Sequence, residues 1–167
     1  MTGRLFETGV ERTAWISTCG RYRHSLGRHW DREKGFVLFI GLNPSTADSE
    51  ADDPTIRRCI RFARDWGYGG LEMCNLYDWR ATDPKQLPRR GFAVSDKNDP
   101  TLRCRVSDSG IVIAAWGAVP WAKERIDELF RTVFTDDKRW HCLKLLKNDF
   151  PQHPLFVPAT TKPILFW

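Results

Sequence analysis

Several side chains in this sequence stand where chemistry could use them. Asn43 opens the polar run Asn43-Pro44-Ser45-Thr46-Ala47-Asp48 directly after an apolar stretch, and Asn75 closes a second apolar stretch. An amide both donates and accepts, so either residue can read a polar edge. Taken singly, Asn43-Pro44-Ser45-Thr46 fits a strand-to-helix turn, because Asn, Pro and Ser favour turns for local backbone reasons. Asn75 is a stronger candidate, since a buried amide must find partners; it either meets a ligand or ties down the loop at Trp79-Arg80. His153 precedes Pro154 and by itself reads as a loop histidine. Asp48, Asp52 and Asp53 form an acidic cluster. Asp53 is expected to cap a helix, and Asp48 and Asp52 to cap, to act as a general base or to hold a divalent ion, in that order. Arg80 follows a strand end and is placed to meet a phosphate or a base. Trp79 and Trp116 can stack on a ring or fill the core. The neighbours His141-Cys142 have no second pair at zinc spacing, so no metal site is expected.

These residues need elements to hold them. Phe36 to Leu42 is a continuous apolar run bounded by a turn, as in a strand covered on both faces. Asp53-Pro54 starts a helix, with Asp as N-cap and Pro at the first helical position. Ile56, Cys59, Ile60, Ala63 and Trp66 then recur at helical spacing, and Gly67 stops the helix. Arg57, Arg58, Arg61 and Arg64 fall largely off that stripe and give it a basic outer surface, by default a solvated one. Leu71 to Leu76 and Gly110 to Trp116 read as two more buried strands. Asp99 to Val106 is expected to be helical, and Pro120 opens a helix to about Val133. His141 to Leu146 is a fourth strand candidate, and residues 14–26 fit an edge hairpin about Gly20. Strands alternating with helices predict a doubly wound sheet, whose ligands sit beyond the carboxyl ends of the strands. The polar loops lie there.

The chain has 167 residues, enough for one domain with a sizeable core. Lys and Arg outnumber Asp and Glu by 26 to 21, a net charge of +5, which suits a polyanionic partner without requiring one. The five cysteines show neither a CxxC pair nor a framework spacing, and read as free thiols in a reducing compartment. Arg4 and Glu7 interrupt the opening residues, which excludes a secretory signal there, and no run is long and apolar enough to span a membrane. A cytoplasmic protein is expected.

The strand ends read in order as Gly41-Leu42-Asn43-Pro44-Ser45, Asn75-Leu76, Trp116-Gly117 and His153-Pro154-Leu155. That order resembles the uracil-DNA glycosylase superfamily, over roughly residues 36–158. The longer run LNPSTAD…DDPTIRRCIRFARDWGYGGLE…NLY…RATDP…AAWG…HPL closely resembles a bacterial and phage family, domain-of-unknown-function family 1643. The superfamily resemblance implies cleavage of an N-glycosidic bond, in which positive charge builds on the sugar and negative charge on the departing base. It implies that Asn43 orients the attacking water, that Asn75 reads the base, that His153 donates toward the leaving base, and that Leu155 or Phe156 wedges the gap left in the stack. The sequence departs from the superfamily at Ser45, where an acidic residue and an aromatic commonly follow the Pro, and at Leu155, where the usual loop reads His-Pro-Ser.

The expectation is therefore an α/β domain over 1–167, with an N-terminal edge hairpin region at 1–35 and a core at 36–158. Its form is a three-layer sandwich around a mainly parallel sheet of about four strands, uracil-DNA glycosylase-like. The expected activity is base N-glycosylase action on a modified or damaged base. Asn43, His153 and Asp48 would be catalytic, and Asn75, Pro44, Ser45, Trp79, Arg80 and Leu155 would bind substrate. The expected partner is DNA and the expected state a monomer, with no cofactor, metal or membrane. The alternatives are a catalytically inactive base- or nucleic-acid-binding module, or a hydrolase of free nucleosides or nucleotides.

Overall fold

A computed structural model of the chain describes residues 4–5, 9–89, 93–134 and 137–166. Its strands are β1 (Arg4–Leu5), β2 (Glu11–Ile16), β3 (Arg23–His29), β4 (Val37–Gly41), β5 (Gly70–Asn75), β6 (Ile111–Ala114), β7 (Trp140–Cys142) and β8 (Ile164–Leu165). The helices are α1 (Pro54–Asp65), α2 (Asn98–Asp108) and α3 (Lys123–Thr132).

The strands form one sheet in the order β1-β2-β3-β5-β4-β6-β7-β8. The class is α/β, but the expected sheet of about four mainly parallel strands is wrong. Eight strands are present among the described residues and the sheet is mixed: β5-β4, β4-β6 and β6-β7 pair parallel, while β1-β2, β2-β3, β3-β5 and β7-β8 pair antiparallel. The reason lies in β3. Its sequence RHSLGRH carries no apolar alternation, yet all seven residues are buried. Its polar side chains find partners inside: Arg28 pairs with Asp52 at 2.8 Å, and the His29 and His24 rings hydrogen-bond Glu72 at 3.1 Å and Asp78 at 2.8 Å. A strand buried by polar pairing leaves no hydrophobic period to read. The hairpin about Gly20 forms (φ +72°), but β3 lies inside the sheet instead of at its edge.

The central strands alternate between two cores. Val37 and Phe39 of β4, Leu71 and Met73 of β5, and Ile113 of β6 face α1, whose Ile56, Cys59, Phe62 and Ala63 cover them. Leu38, Ile40, Cys74, Val112 and Ala114 face the other way, against Leu102 and Val106 of α2 and Leu129 of α3. Burial on both faces explains why these strands read as continuous apolar runs. The chain leaves β4 for β5 on one side and reaches β6 on the other. β4 is therefore where the strand order reverses, and a crevice opens beyond the carboxyl ends of β4 and its neighbours. α1 starts as the sequence predicts, with the Asp53 side chain accepting from the Ile56 N–H at 2.9 Å and Pro54 at the first position.

Candidate functional site

A cavity of about 340 Å³ occupies that crevice, within the range of small-molecule sites. Asn43 from the loop after β4, Asn75 from the end of β5 and His153 from the loop before the short helical turn Pro154–Phe156 all line it. The three are distant in sequence, and the sheet topology brings them to one wall system.

Each holds a defined orientation. The Asn43 amide nitrogen donates to the carbonyls of Pro44 at 3.0 Å and Ala81 at 2.8 Å. Both amide hydrogens are thereby used, and Oδ1 is left as an acceptor with no partner among the described residues. Asn75 is only 3% exposed, and its Nδ2 has no hydrogen-bond partner among the described residues. A buried amide left unpaired costs stability, and a polar group entering the cavity would recover it. It sits on the α1 face of the sheet beside Gly41. A Cβ on Gly41 would come within 2.7 Å of Asn75 Oδ1, so the amide occupies the space that a side chain at 41 would fill.

His153 caps its own turn: Nδ1 accepts from the Leu155 N–H at 3.2 Å. An accepting Nδ1 places the ring proton on Nε2 in the neutral form. Burial pushes the imidazole below its ordinary value of 6.5, against the opposing pull of Asp53. The site thus presents a neutral ring with one N–H donor. Gly117, at φ +80°, makes the turn after β6 beside His153: a Cβ at position 117 would lie 3.8 Å from the His153 Cβ.

The remaining sequence-derived residues divide. Ser45 lines the cavity. Pro44 is buried behind it, its carbonyl accepting from Asn43 and from the Ala81 N–H at 3.0 Å. Trp79 and Arg80 border a separate shallow hollow with Ser45, Thr82 and Gln86. Trp79 packs edge-on against Tyr22 at 5.3 Å, and Arg80 donates to the Gly20 carbonyl at 3.3 Å. Leu155 is 37% exposed and does not line the cavity, whereas its neighbour Phe156 does and is 73% exposed. Asp48 lies outside the lining. Its carboxylate accepts from the Ala51 and Glu50 N–H groups, which hold it below the usual carboxylate range, so it closes its own loop. Asp52 is tied to Arg12 and Arg28 at 2.8 Å each.

Three further lining residues matter, of which the sequence marked Asp53 as a cap and Trp116 as a stacking or core ring and left Arg23 unmarked. Asp53 caps α1 with Oδ1, and its second oxygen has no partner among the described residues. Trp116 belongs to the core against α2 and α3, yet it also lines the cavity, and its Nε1 is unpartnered among the described residues. Arg23, the first residue of β3, is 2% exposed. No local pattern could have signalled Arg23, because its burial depends on a strand pairing made across the chain. Among the described residues no group of three or more His, Cys, Asp and Glu could hold a metal ion, and no helix is long and apolar enough to cross a membrane.

Comparison with curated proteins and with solved structures gives no match. Residues 23–155 match the model of a family described as a protein of unknown function, DUF1643. That match spans more than half of the chain and includes every strand end that shapes the cavity, and the chain belongs to that family.

Proposed function

We propose that this protein is a DNA base N-glycosylase that removes a modified or damaged base. The observation that carries the reading is the convergence of Asn43, Asn75 and His153 on one ring-sized cavity, each with an atom free to meet a ligand. The order of the strand-end motifs, which resembles that of the uracil-DNA glycosylase superfamily, supports it.

The chemistry uses these groups as follows. The base enters the cavity and meets the Asn75 amide. As the bond from the sugar to the base breaks, the electron pair leaves with the base, and the His153 Nε2–H donates a hydrogen bond to the oxygen that becomes negative. A water held by Asn43 Oδ1 bonds to the sugar carbon, and the free oxygen of Asp53 takes its proton. Asp53 replaces Asp48 in the role of base, because Asp53 lines the cavity and Asp48 does not. Phe156, exposed beside His153, is placed to fill the gap that an extruded base leaves in the stack. The net charge of +5 and the exposed Arg57, Arg61 and Arg64 of α1 favour a phosphate backbone.

The test is incubation with oligonucleotides carrying varied bases and with phage DNAs, followed by alkaline cleavage of abasic sites. The expected result is strand scission at one class of base, lost in Asn75→Ala and His153→Ala. No abasic product across that panel would overturn the reading.

A further inference from the structure

Three arginines buried in the fold differ in what neutralises them. Arg28 is fully buried and pairs with Asp52 at 2.8 Å. Arg125 is 8% exposed and pairs with Asp99 and Glu128. Arg23 lies between them in burial, at 2% exposure, but no carboxylate lies within ion-pair distance of it among the described residues. Among the described residues its only side-chain hydrogen bond runs from Nη1 to the Ala47 carbonyl at 2.8 Å, and its Nε is unpartnered. Burial holds its pKa down, to about 10, and the attraction of Asp53 offsets this only in part. A buried cation without a counter-ion is costly, and the fold retains it on the wall of the cavity.

The position of Arg23 decides what it would meet. Arg23 and Asn75 are nearly closed off from solvent, whereas Asn43, Ser45, Thr55 and His153 on the same cavity are partly exposed. Arg23 and Asn75 therefore mark the deep end. A ring inserted between the walls brings its far edge there, while a sugar and its phosphates stay toward the mouth.

We propose that Arg23 and Asn75 form a recognition subsite for a flat ring whose inserted edge is acceptor-rich and negatively charged, such as a base with several ring carbonyls or a carboxylate substituent. The assignment rests on the base-pocket reading above and narrows its substrate class. Guanidinium pairs with such an edge through two parallel N–H donors, and Asn75 supplies a third contact. An amino-substituted edge, like that of cytosine, would set donors against donors.

The experiment measures equilibrium binding of two small rings, barbiturate as the anionic polycarbonyl probe and cytosine as the amino probe, to the wild-type chain. Uracil serves as the uncharged dicarbonyl control. The expected result is barbiturate binding roughly tenfold or more tighter than either neutral ring, since hydrogen bonds to charged groups are the strong ones. Arg23→Met should abolish that preference and raise the Tm of the ligand-free chain, because it removes an unpaired buried charge while keeping an unbranched stem. Should Arg23→Met fail to fold, the wild-type comparison decides alone. Equal affinity for the three rings, no binding of any, or Arg23-dependent binding of a nucleoside 5′-monophosphate in preference to barbiturate would overturn the proposal. The outcome is separable from glycosylase action. Abasic sites formed from a neutral base overturn this subsite and leave the glycosylase reading standing. Barbiturate binding through Arg23 without abasic sites does the reverse.

Discussion

His153 shows how one side chain takes its character from its surroundings. Its Nδ1 is occupied by the Leu155 N–H and its ring is partly withdrawn from water, so the neutral form with Nε2–H is favoured. The sign of the pH dependence follows. Burial lowers the folded pKa below the ordinary 6.5, so the unfolded chain binds the proton more readily. The contribution to stability is complete above about pH 6.5 and is lost as the pH falls through 6.5 toward the folded pKa. Activity that needs an accepting Nδ1 should hold level above neutrality and fall on the acid side, with a midpoint below 6.5. A rate profile of base release from pH 4.5 to 8, a range of about the histidine and carboxylate values, checks this; a midpoint above 6.5 would contradict it. His153→Ala should lower the rate by roughly 10²–10³, as removal of one oxyanion donor does elsewhere.

At the scale of elements, the site is built on ends: the ends of β4, β5 and β6, the start of α1 and the turn at Pro154–Phe156. Asp53 belongs to two of these at once, as the cap of α1 and as a carboxylate on the cavity. The roles separate by substitution. Asn caps about as well as Asp, so Asp53→Asn should leave the Tm within a degree or so and still reduce base release sharply. Asp53→Ala should lose both, at about 1 kcal/mol of stability, or roughly 2–4 °C in a chain of this size. Thermal melts beside an activity assay distinguish the two. Gly41 makes a second element-level test. A methyl group there would approach Asn75 Oδ1 to 2.7 Å, so Gly41→Ala should force the amide off its position. The expected cost is about 1–3 kcal/mol with loss of ring binding, seen by melting and by titration with the tightest ring found.

At the scale of the whole molecule, the segment from Pro44 to Asp53 is held against β3 by charge. Arg28 donates to Asp52 at 2.9 Å and to the Asp48 carbonyl, and Arg12 reaches Asp52 and the Ser49 carbonyl at 3.1 Å. Asp52→Ala would strand Arg28, which is fully buried. The expected destabilisation is roughly 3 kcal/mol, at the lower end for a broken buried pair because Asp52 retains some exposure. Denaturant unfolding of the variant measures it, and a change under about 0.5 kcal/mol would show that the clamp is not structural. The same clamp fixes the loop that carries Asn43 and Ser45, so cavity affinity should fall along with stability. If the partner is DNA, affinity for a long duplex should also fall steeply with salt while binding of a free ring stays flat, because counterion release belongs only to the polyanion.

The sequence by itself determined the elements whose burial is apolar and local. The 36–42 run, the Asp53-Pro54 helix start and the strand ending at Asn75 were legible because hydrophobic period and capping chemistry act between near neighbours. It also marked Asn43 and Asn75 as candidates through their positions at strand ends, and His153 through its order after the other strand-end motifs. What only the tertiary structure decided is how many strands join the sheet and which charges sit inside it. β3 is buried by His24, Arg28 and His29 meeting acids up to dozens of residues away, a pairing that leaves no trace in its own seven residues. Arg23 escaped for the same reason, and so did the split between Asp48, which closes its own loop, and Asp53, which opens onto the cavity. A local pattern records the free energy of local burial. The solvation and pairing of a charge depend on every group around it, and those groups arrive only when the chain has folded.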